Sequence, residues 1–281
     1  MPLRIAVIGA GQMGAGIAQV AAQSGHDVLL TDRSRELFDR GLAGIAKQLA
    51  RSVEKTRITA EQRDEILARI AFAPAIADLD VDLAIEAATE DLGLKLEIFR
   101  ALDAATPEGA ILASNTSSIS ITTLGAATKR AERVIGMHFM NPVPVMKLVE
   151  IIRGIATSDA TYAIVRDLAV QMGKIAVEVR DFPGFVSNRV LMPMINEAVY
   201  ALFEGVGSVE AIDTVMKLGM NHPMGPLELA DFIGLDTCLS ILDVLHDGFG
   251  DPKYRACPLL KQYVAAGWLG KKSGRGFYTY A

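Results

Sequence analysis

The chain contains few of the residues that define several protein classes. Two cysteines, Cys238 and Cys257, are too few for a disulfide framework, and their spacing matches no metal-binding motif. We therefore expect no bound metal and a reducing setting, for which the cytoplasm is the simplest choice. The sequence also lacks an apolar run of roughly 18 residues or more, so we expect no helix that spans a membrane.

The charge composition and the first residues exclude further classes. The formal net charge is −5 and no long basic run occurs, so nucleic acid is not an expected partner. Glycines interrupt the first apolar run and charged residues soon follow, which predicts a strand there and not a signal peptide. Hydrophobic residues make up 51% of the 281 residues, which favours an ordered globular protein of one large or two ordinary domains.

The most informative pattern is a glycine turn near the amino terminus. A β-branched apolar run, Ile5–Ile8, comes before a G-x-G-x-x-G spacing, and Ala15–Ala22 is interpreted as the helix that follows. This order is typical of dinucleotide sites, because glycines let the backbone approach a pyrophosphate and a helix N-terminus favours negative charge. A tight turn without a ligand is the alternative. The residues expected to contact the cofactor here are Gly9, Gly11, Gln12, Met13 and Gly14.

A carboxylate follows the second predicted strand. Asp32 stands eighteen residues after Gly14, close to the spacing of a residue that binds the adenosine ribose of a dinucleotide. A carboxylate accepts hydrogen bonds from ribose hydroxyls and repels a 2′-phosphate, so NAD is favoured over NADP. Arg33 beside it is a cation that acts in the opposite direction, and how strictly Asp32 excludes NADP stays open at this point.

The pattern of segments predicts an α/β protein with two domains. In residues 1–183 strand-like and helix-like segments alternate, which indicates a Rossmann-like, doubly wound and mostly parallel sheet that binds NAD. The charged stretch Arg35–Ile70, broken near Thr59, is interpreted as an inserted helical hairpin. The predicted strands are Ile5–Ile8, Val28–Thr31, Leu83–Glu86, Ile111–Ser114, Val134–Met137, Val149–Ile152 and Ala176–Val179.

Residues 184–281 are predicted to form an all-α domain for substrate binding and dimerisation. The proline and glycine of Asp181–Gly184 mark the boundary before it, and Ser208 is expected to be a helix N-cap. Its apolar positions exceed what a small helical unit buries alone, for which a dimer interface is one explanation and simple core packing the other. The predicted helices are Val186–Glu204, Ser208–Met216, Gly225–Val244 and Pro258–Ala266.

Polar residues follow several predicted strands, where ligands bind in open α/β sheets. The turn Ser114–Ser118 offers hydroxyl donors to a substrate oxygen, although it also fits a local turn or a helix cap. His138 follows another strand, and an imidazole titrates near neutrality, which suits a general acid or base. Asn188, near the start of a helix, is a candidate to bind a substrate carbonyl or the histidine. The alternative is a helix cap or a solvated face.

Glu150 lies inside an apolar predicted strand, twelve residues after His138. A carboxylate there is costly unless it has a partner. An imidazole partner would be oriented by it and made more basic. The alternative is a structural salt bridge to Lys147 or Arg153.

Taken together, these motifs resemble those of the L-3-hydroxyacyl-CoA dehydrogenases, most nearly the bacterial 3-hydroxybutyryl-CoA dehydrogenases. The resemblance extends nearly from end to end of the chain, and so many motifs in one order make coincidence an inadequate explanation. The segments that carry it are Gly9–Gly14, Glu86–Glu90, Ser114–Ser118, His138–Pro144, Asp181–Arg189, His222–Leu227 and Gly270–Tyr278.

The resemblance implies an NAD-dependent oxidoreductase that interconverts a 3-hydroxyacyl-CoA and a 3-oxoacyl-CoA, and a homodimer formed through the C-terminal domain. It makes His138 the catalytic base paired with Glu150, while Ser117 and Asn188 position the substrate. The residues implied to contact NAD are Asp32, Glu90, Lys95, Ser117 and Asn141. The residues implied to contact the CoA phosphates are Lys55 or, in its place, Arg51 or Arg57.

Two other functions stay open on the sequence. A dehydrogenase of a free hydroxy acid or sugar acid would share the catalytic residues without needing the basic hairpin residues. A non-catalytic structural protein or NAD sensor on the same scaffold would not need the set Ser117, His138, Glu150 and Asn188, which is complete in this chain.

Overall fold

A computed structural model describes residues 2–77 and 79–280 of the chain. The chain divides into two compact units, and the division falls between Asp181 and Phe182. The first unit is built on one sheet with helices, and the second is helical, which confirms the predicted fold class. The separate roles predicted for residues 1–183 and 184–281 stay predictions. Across the described residues, no helix has both the length and the apolar character that crossing a membrane requires.

One eight-stranded sheet forms the centre of the first unit. Its strands are β1 (Arg4–Ile8), β2 (Asp27–Thr31), β3 (Ile70–Phe72), β4 (Leu83–Glu86), β5 (Ile111–Ser114), β6 (Val134–Phe139), β7 (Leu148–Arg153) and β8 (Ile175–Arg180). Their order is β3-β2-β1-β4-β5-β6-β7-β8, and every neighbouring pair is parallel except β6 and β7. The central strands β4 and β5 are buried along their whole length, as expected where both faces of a sheet are covered.

The seven predicted strands are all present, but the sequence reading missed β3. The sequence predicts Ile70 at the end of the helical hairpin, whereas it is the first residue of a three-residue strand and pairs with Val28 of β2. A strand of three residues is too short to show an alternating pattern. It forms because β2 leaves an edge of backbone donors and acceptors that need partners.

The α-helices in the described residues of the first unit are α1 (Gln12–Gln23), α2 (Arg35–Glu54), α3 (Ala60–Ala68), α4 (Leu92–Ala105), α5 (Ile121–Ala126) and α6 (Asp159–Gln171). The helices α2 and α3 form the predicted hairpin. Ser34 caps α2 through Leu37, and Thr59 forms a capping box with Gln62 at the start of α3. These side chains satisfy first-turn N–H groups, which is why the break falls where the polar cap residues stand.

Up to residue 280, the α-helices of the second unit are α7 (Ser187–Phe203), α8 (Val209–Gly219), α9 (Pro226–Ile233), α10 (Leu235–Phe249) and α11 (Pro258–Ala265). Ser208 caps α8 as predicted and accepts a hydrogen bond from Ala211 at 3.2 Å. The single predicted helix Gly225–Val244 is wrong, because Gly234 has a φ of +104° and separates α9 from α10. That left-handed conformation favours glycine and interrupts the helical path.

Two buried aspartates hold the C-terminal segment onto the helices of the second unit. Asp213 accepts a hydrogen bond from the Leu227 N–H at 2.9 Å and another from the Tyr278 hydroxyl at 2.8 Å. Asp231 accepts from the backbone N–H groups of Phe277 and Tyr278 at 2.9 and 2.8 Å. Burial raises the pKa of Asp231, against the opposing effect of these hydrogen bonds.

Candidate active site

The glycine turn joins β1 to α1 with very little space. Gly9 has a φ of +105°, and a Cβ atom on Gly14 would lie 1.7 Å from the Gly9 carbonyl oxygen. Beside Gly11, in contrast, a Cβ atom would meet no atom of the described residues within 4 Å. Gln12 and Met13 are the first residues of α1. Two glycines thus permit close packing of the turn, and the third faces open space.

The open side of this turn fits the pyrophosphate of NAD. Gly11 is the N-cap of α1 and has no side chain that can accept hydrogen bonds from the first-turn N–H groups. Those groups need an acceptor, and the positive end of the helix dipole favours an anion. A phosphate supplies both.

Asp32 lies directly after β2 and is fixed at the rim of the same turn. One carboxylate oxygen accepts a hydrogen bond from the Ala10 N–H at 2.7 Å, and the other accepts from the Arg33 N–H at 2.7 Å. A carboxylate has about four acceptor positions, so two such bonds leave capacity for ribose hydroxyls. This placement suits the role predicted for Asp32.

His138 and Glu150 form a buried pair on neighbouring strands. His138 lies within β6, one residue further than the strand was predicted to extend, and it stands directly opposite Glu150 of the antiparallel β7. The distance from His138 Nδ1 to Glu150 Oε2 is 2.8 Å, with side chains only 10% and 3% exposed. The carboxylate orients the ring and favours the tautomer with the proton on Nδ1, in which Nε2 is the basic nitrogen.

Arg153, the alternative partner of Glu150, is used elsewhere. Its guanidinium lies 2.6 Å from a carboxylate oxygen of Asp159 and 3.3 Å from one of Glu178. In strand β7, Arg153 therefore pairs with Asp159 and Glu178, whereas Glu150 contacts His138.

Glu90 gathers the serine turn that follows β5. One of its oxygens accepts from the backbone N–H of Ser117 at 2.9 Å, from the Ser117 hydroxyl at 3.3 Å, and from Ser118 and Thr116 as well. Burial opposes ionisation of Glu90, but the charge of Lys95 and these hydrogen bonds outweigh it, so its pKa lies below the ordinary value. The structure thus brings together Glu90, Lys95 and Ser117, three residues predicted to contact the cofactor.

The serine turn also satisfies its own backbone. The Thr116 N–H donates to the Ser114 hydroxyl at 3.1 Å, and the Ile119 N–H donates to the Thr116 hydroxyl at 2.8 Å. These bonds bear out the local-turn interpretation, and the functional role of the Ser117 hydroxyl stays a prediction.

Lys95 lies beneath Glu90 and is almost completely buried, with 1% of its surface exposed. Its ammonium is 2.6 Å from Glu86, 3.3 Å from Glu90 and 3.3 Å from the Ala88 carbonyl oxygen. An ammonium has three protons, and each has a protein oxygen here. Lys95 therefore fixes the two acids, and the direct contact with NAD that the resemblance implies stays a prediction.

Sequence reasoning missed Glu86 and Thr116 as parts of this site. Glu86 is fully buried and also accepts from the Ser114 hydroxyl at 2.6 Å. The available signal was the same as for Glu150: an acid within an apolar strand must have a partner. Nothing in the local sequence of Thr116 distinguishes it from the other hydroxyl residues of the turn.

Replacing Lys95 by methionine is expected to destabilise the protein by about 3–5 kcal/mol, because Glu86 would keep a buried charge without its cation. Urea unfolding at neutral pH measures this. The double variant Lys95→Met with Glu86→Gln should regain part of the loss. The control Lys217→Met removes a lysine 40% exposed, 3.8 Å from Glu228, and should change stability by less than about 1 kcal/mol. A loss no larger than the control's would show that the ion pair contributes little.

The remaining predicted site residues lie outside these clusters. Asn141 is exposed in the segment between β6 and β7. Lys55 is the C-cap residue of α2 in the helical hairpin, where it is exposed together with Arg51 and Arg57. Asn188 lies in the first turn of α7, in the second unit, where its N–H donates to the Gly184 carbonyl oxygen at 3.1 Å.

Comparison with known proteins places these motifs in one family. Residues 4–182 match the family described as 3-hydroxyacyl-CoA dehydrogenase, NAD binding domain, and residues 184–280 match the C-terminal domain of that family. The chain is 61% identical over 278 residues to a probable 3-hydroxybutyryl-CoA dehydrogenase of Bacillus subtilis (strain 168), across 99% of this chain and 97% of that protein.

Two further relatives agree. The 3-hydroxybutyryl-CoA dehydrogenase of Bradyrhizobium diazoefficiens is 59% identical over 278 residues, across 99% of this chain and 95% of that protein. The crystal structure of (S)-3-hydroxybutyryl-CoA dehydrogenase from Ralstonia eutropha is 52% identical, with a TM-score of 0.97 over 99% of each chain. These findings confirm the resemblance and the NAD cofactor inferred from the motifs. The chain therefore belongs to the 3-hydroxyacyl-CoA dehydrogenase family and is an NAD-dependent oxidoreductase.

Proposed function

We propose that this enzyme interconverts L-3-hydroxybutyryl-CoA and acetoacetyl-CoA, with His138 as the general acid and base. The observation that carries this role is the buried contact of 2.8 Å between His138 and Glu150. Strands β1, β4, β5 and β6 are mutually parallel, so their carboxyl ends share one edge of the sheet. His138 and the glycine turn therefore belong to the same edge, where ligands bind in such sheets.

The proton chemistry follows from this pair. In the oxidation direction, Nε2 of His138 accepts the proton of the substrate's 3-hydroxyl group, and in the reduction direction it returns that proton to the alkoxide. Glu150 lies on the other ring nitrogen, so its negative charge stabilises the imidazolium that forms. When bound, NAD supplies the carbon that takes up the hydride from C3 of the substrate, and NADH returns it.

The other site residues are assigned to binding and orientation. Ser117 and Asn188 position the substrate oxygen, and Glu90 holds Ser117 through two hydrogen bonds. Asp32 is assigned to the adenosine ribose, and Asn141 is assigned to the nicotinamide end of the cofactor.

The cations of the hairpin are assigned to the acyl-CoA. Lys55, Arg51 and Arg57 are exposed near the end of α2, where ammonium or guanidinium groups suit the phosphates of CoA. The relatives named 3-hydroxybutyryl-CoA dehydrogenase, identical at 59–61% of positions, support a short acyl chain.

We also propose a homodimer that forms through the C-terminal unit, in a reducing compartment such as the cytoplasm. Support for the dimer comes from large apolar side chains that this unit leaves exposed, which a second copy would cover. The two cysteines are both buried free thiols, which agrees with a compartment that does not form disulfides. The exposed residues are Phe182, Val186, Val190, Phe203, Val206, Val215, Leu218, Met220 and Phe232.

An absorbance assay of NADH oxidation tests the proposed reaction. Acetoacetyl-CoA should support turnover, and free acetoacetate at the same concentration should support far less, because it lacks the CoA phosphates. Equal rates with the two would favour the dehydrogenase of a free acid. Tight NADH binding without turnover on either substrate would favour the non-catalytic sensor. The variants Lys55→Ala, Arg51→Ala and Arg57→Ala identify the cation that holds the phosphates. The variant that lacks this cation should show the largest rise in KM for acetoacetyl-CoA.

A further inference from the structure

One buried cation of the first unit has no part in the site described above. Lys174 lies between α6 and β8 and is only 7% exposed. Its ammonium donates a hydrogen bond to the carbonyl oxygen of Met146 at 2.8 Å and another to the carbonyl oxygen of Val143. Both partners are neutral backbone groups. Burial lowers the pKa of this ammonium, because desolvation disfavours the charged form.

The two carbonyls belong to the segment that connects β6 to β7, residues 140–147, called here the β6–β7 loop. His138 lies in β6 just before this loop, and Asn141 lies within it. Because β6 and β7 are antiparallel and β8 is parallel to β7, the loop and the start of β8 lie at the same edge of the sheet. Lys174 is thus at the edge that carries the proposed cofactor site.

The same loop also contacts the cofactor-binding helix. A Cβ atom on Gly16 of α1 would lie 2.9 Å from the Cβ of Val143, so the loop and α1 are in close contact. Within the loop, the N–H groups of Val145 and Met146 both donate to the Pro142 carbonyl oxygen at 3.0 Å. The ammonium of Lys174 binds the carbonyl oxygens of Val143 and Met146 in this same turn.

Burying an ammonium to support a loop costs desolvation free energy. An apolar side chain of similar size would avoid the desolvation cost, and the two carbonyls would then need other donors. The charge is informative because charge-assisted hydrogen bonds are shorter and stronger than neutral ones, and they hold a loop in one geometry. A loop held in this way keeps Asn141 and Val143 in fixed positions relative to α1.

We propose that Lys174 is a positioning residue of the cofactor site: its ammonium fixes the β6–β7 loop through Val143 and Met146, and the loop sets Asn141 and the Val143 contact with α1. This inference rests on the proposed placement of Asn141 near the nicotinamide. Lys174 does not touch the reacting atoms, and it acts through the loop.

The test compares Lys174→Met with Lys174→Arg in the full-length protein. The methionine variant should bind NADH about 10–100-fold more weakly, measured by quenching or enhancement of fluorescence, because two charge-assisted hydrogen bonds are lost. The arginine variant keeps the charge and the donors and should recover most of the binding. Hydrogen exchange at the amides of Val145 and Met146 should become faster in the methionine variant and return toward wild type in the arginine variant.

Controls separate positioning from stability. Lys147→Met removes an exposed lysine at the end of the same loop and should leave NADH binding within about twofold of wild type. If Lys174→Met lowers the midpoint of urea unfolding but binds NADH as tightly as wild type, the proposal is overturned. If it does not fold, Lys174→Gln is judged by the same two readouts. NADH binding does not depend on the acyl substrate, so an inactive wild type with acetoacetyl-CoA would refute the proposed reaction and leave this test intact.

Discussion

The variant His138→Ala is expected to lose turnover by at least about 10²–10⁴-fold, while its dissociation constant for NADH stays within about twofold of wild type. His138 is 8% exposed and its ring is oriented by Glu150 at 2.8 Å, so its removal takes away the proton acceptor and leaves the glycine turn unchanged. Steady-state kinetics with acetoacetyl-CoA measure the first quantity and NADH fluorescence measures the second.

The partner carboxylate gives a second comparison. In Glu150→Gln the side chain keeps an oxygen that accepts from Nδ1 but loses the negative charge that stabilises the imidazolium. The amide can also favour the wrong tautomer of His138, so we expect kcat to fall by up to about 10⁴-fold, with KM for acetoacetyl-CoA little changed.

The matched control for both variants is His246→Ala. His246 lies on α10 of the second unit with its side chain 45% exposed, 3.1 Å from Asp247. The His246→Ala variant should retain wild-type kinetics. Near-normal turnover in His138→Ala, with a folded protein, would remove His138 from the mechanism and leave the Glu150 contact as a purely structural one.

The second large effect is expected on cofactor choice. Asp32→Ala should raise KM for NAD by roughly 10–100-fold, since hydrogen bonds to a charged group contribute about 1.5–3 kcal/mol. KM for NADP should change far less or fall, because the repulsion of a 2′-phosphate is removed and Arg33 is retained. The ratio of kcat/KM for NAD to that for NADP is the decisive quantity.

Asp32 also supports the turn, and this second role must be separated from the first. Its carboxylate accepts from the N–H groups of Ala10 and Arg33, so its loss disturbs the backbone as well. Equal losses with NAD and NADP would mean that Asp32 acts only on the turn. Asp39→Ala serves as control, since Asp39 is 55% exposed on α2 and forms a surface ion pair with Arg35, which predicts no change in either KM.

Much of the fold follows from local sequence. The β-branched run before Gly9, the polar caps Ser34 and Thr59, and the helix start at Ser208 all depend on residues within a few positions of each other. Local periodicity and turn chemistry determine such elements, and the structure has them at the predicted positions. The exceptions were β3, which exists only because β2 offers an edge, and the break at Gly234, where backbone conformation decided.

The site divides in the same way. The sequence by itself determined that a dinucleotide turn precedes Asp32, and that the buried acid Glu150 needs a partner. Only the tertiary structure decided that Glu90 gathers the serine turn 27 residues away, that Lys95 is buried between two acids, and that Lys174 holds carbonyls of a loop 28–31 residues away. The physical reason is that a buried polar group bonds to whichever partner the fold brings within hydrogen-bond distance. The local sequence does not identify a partner that lies far away along the chain.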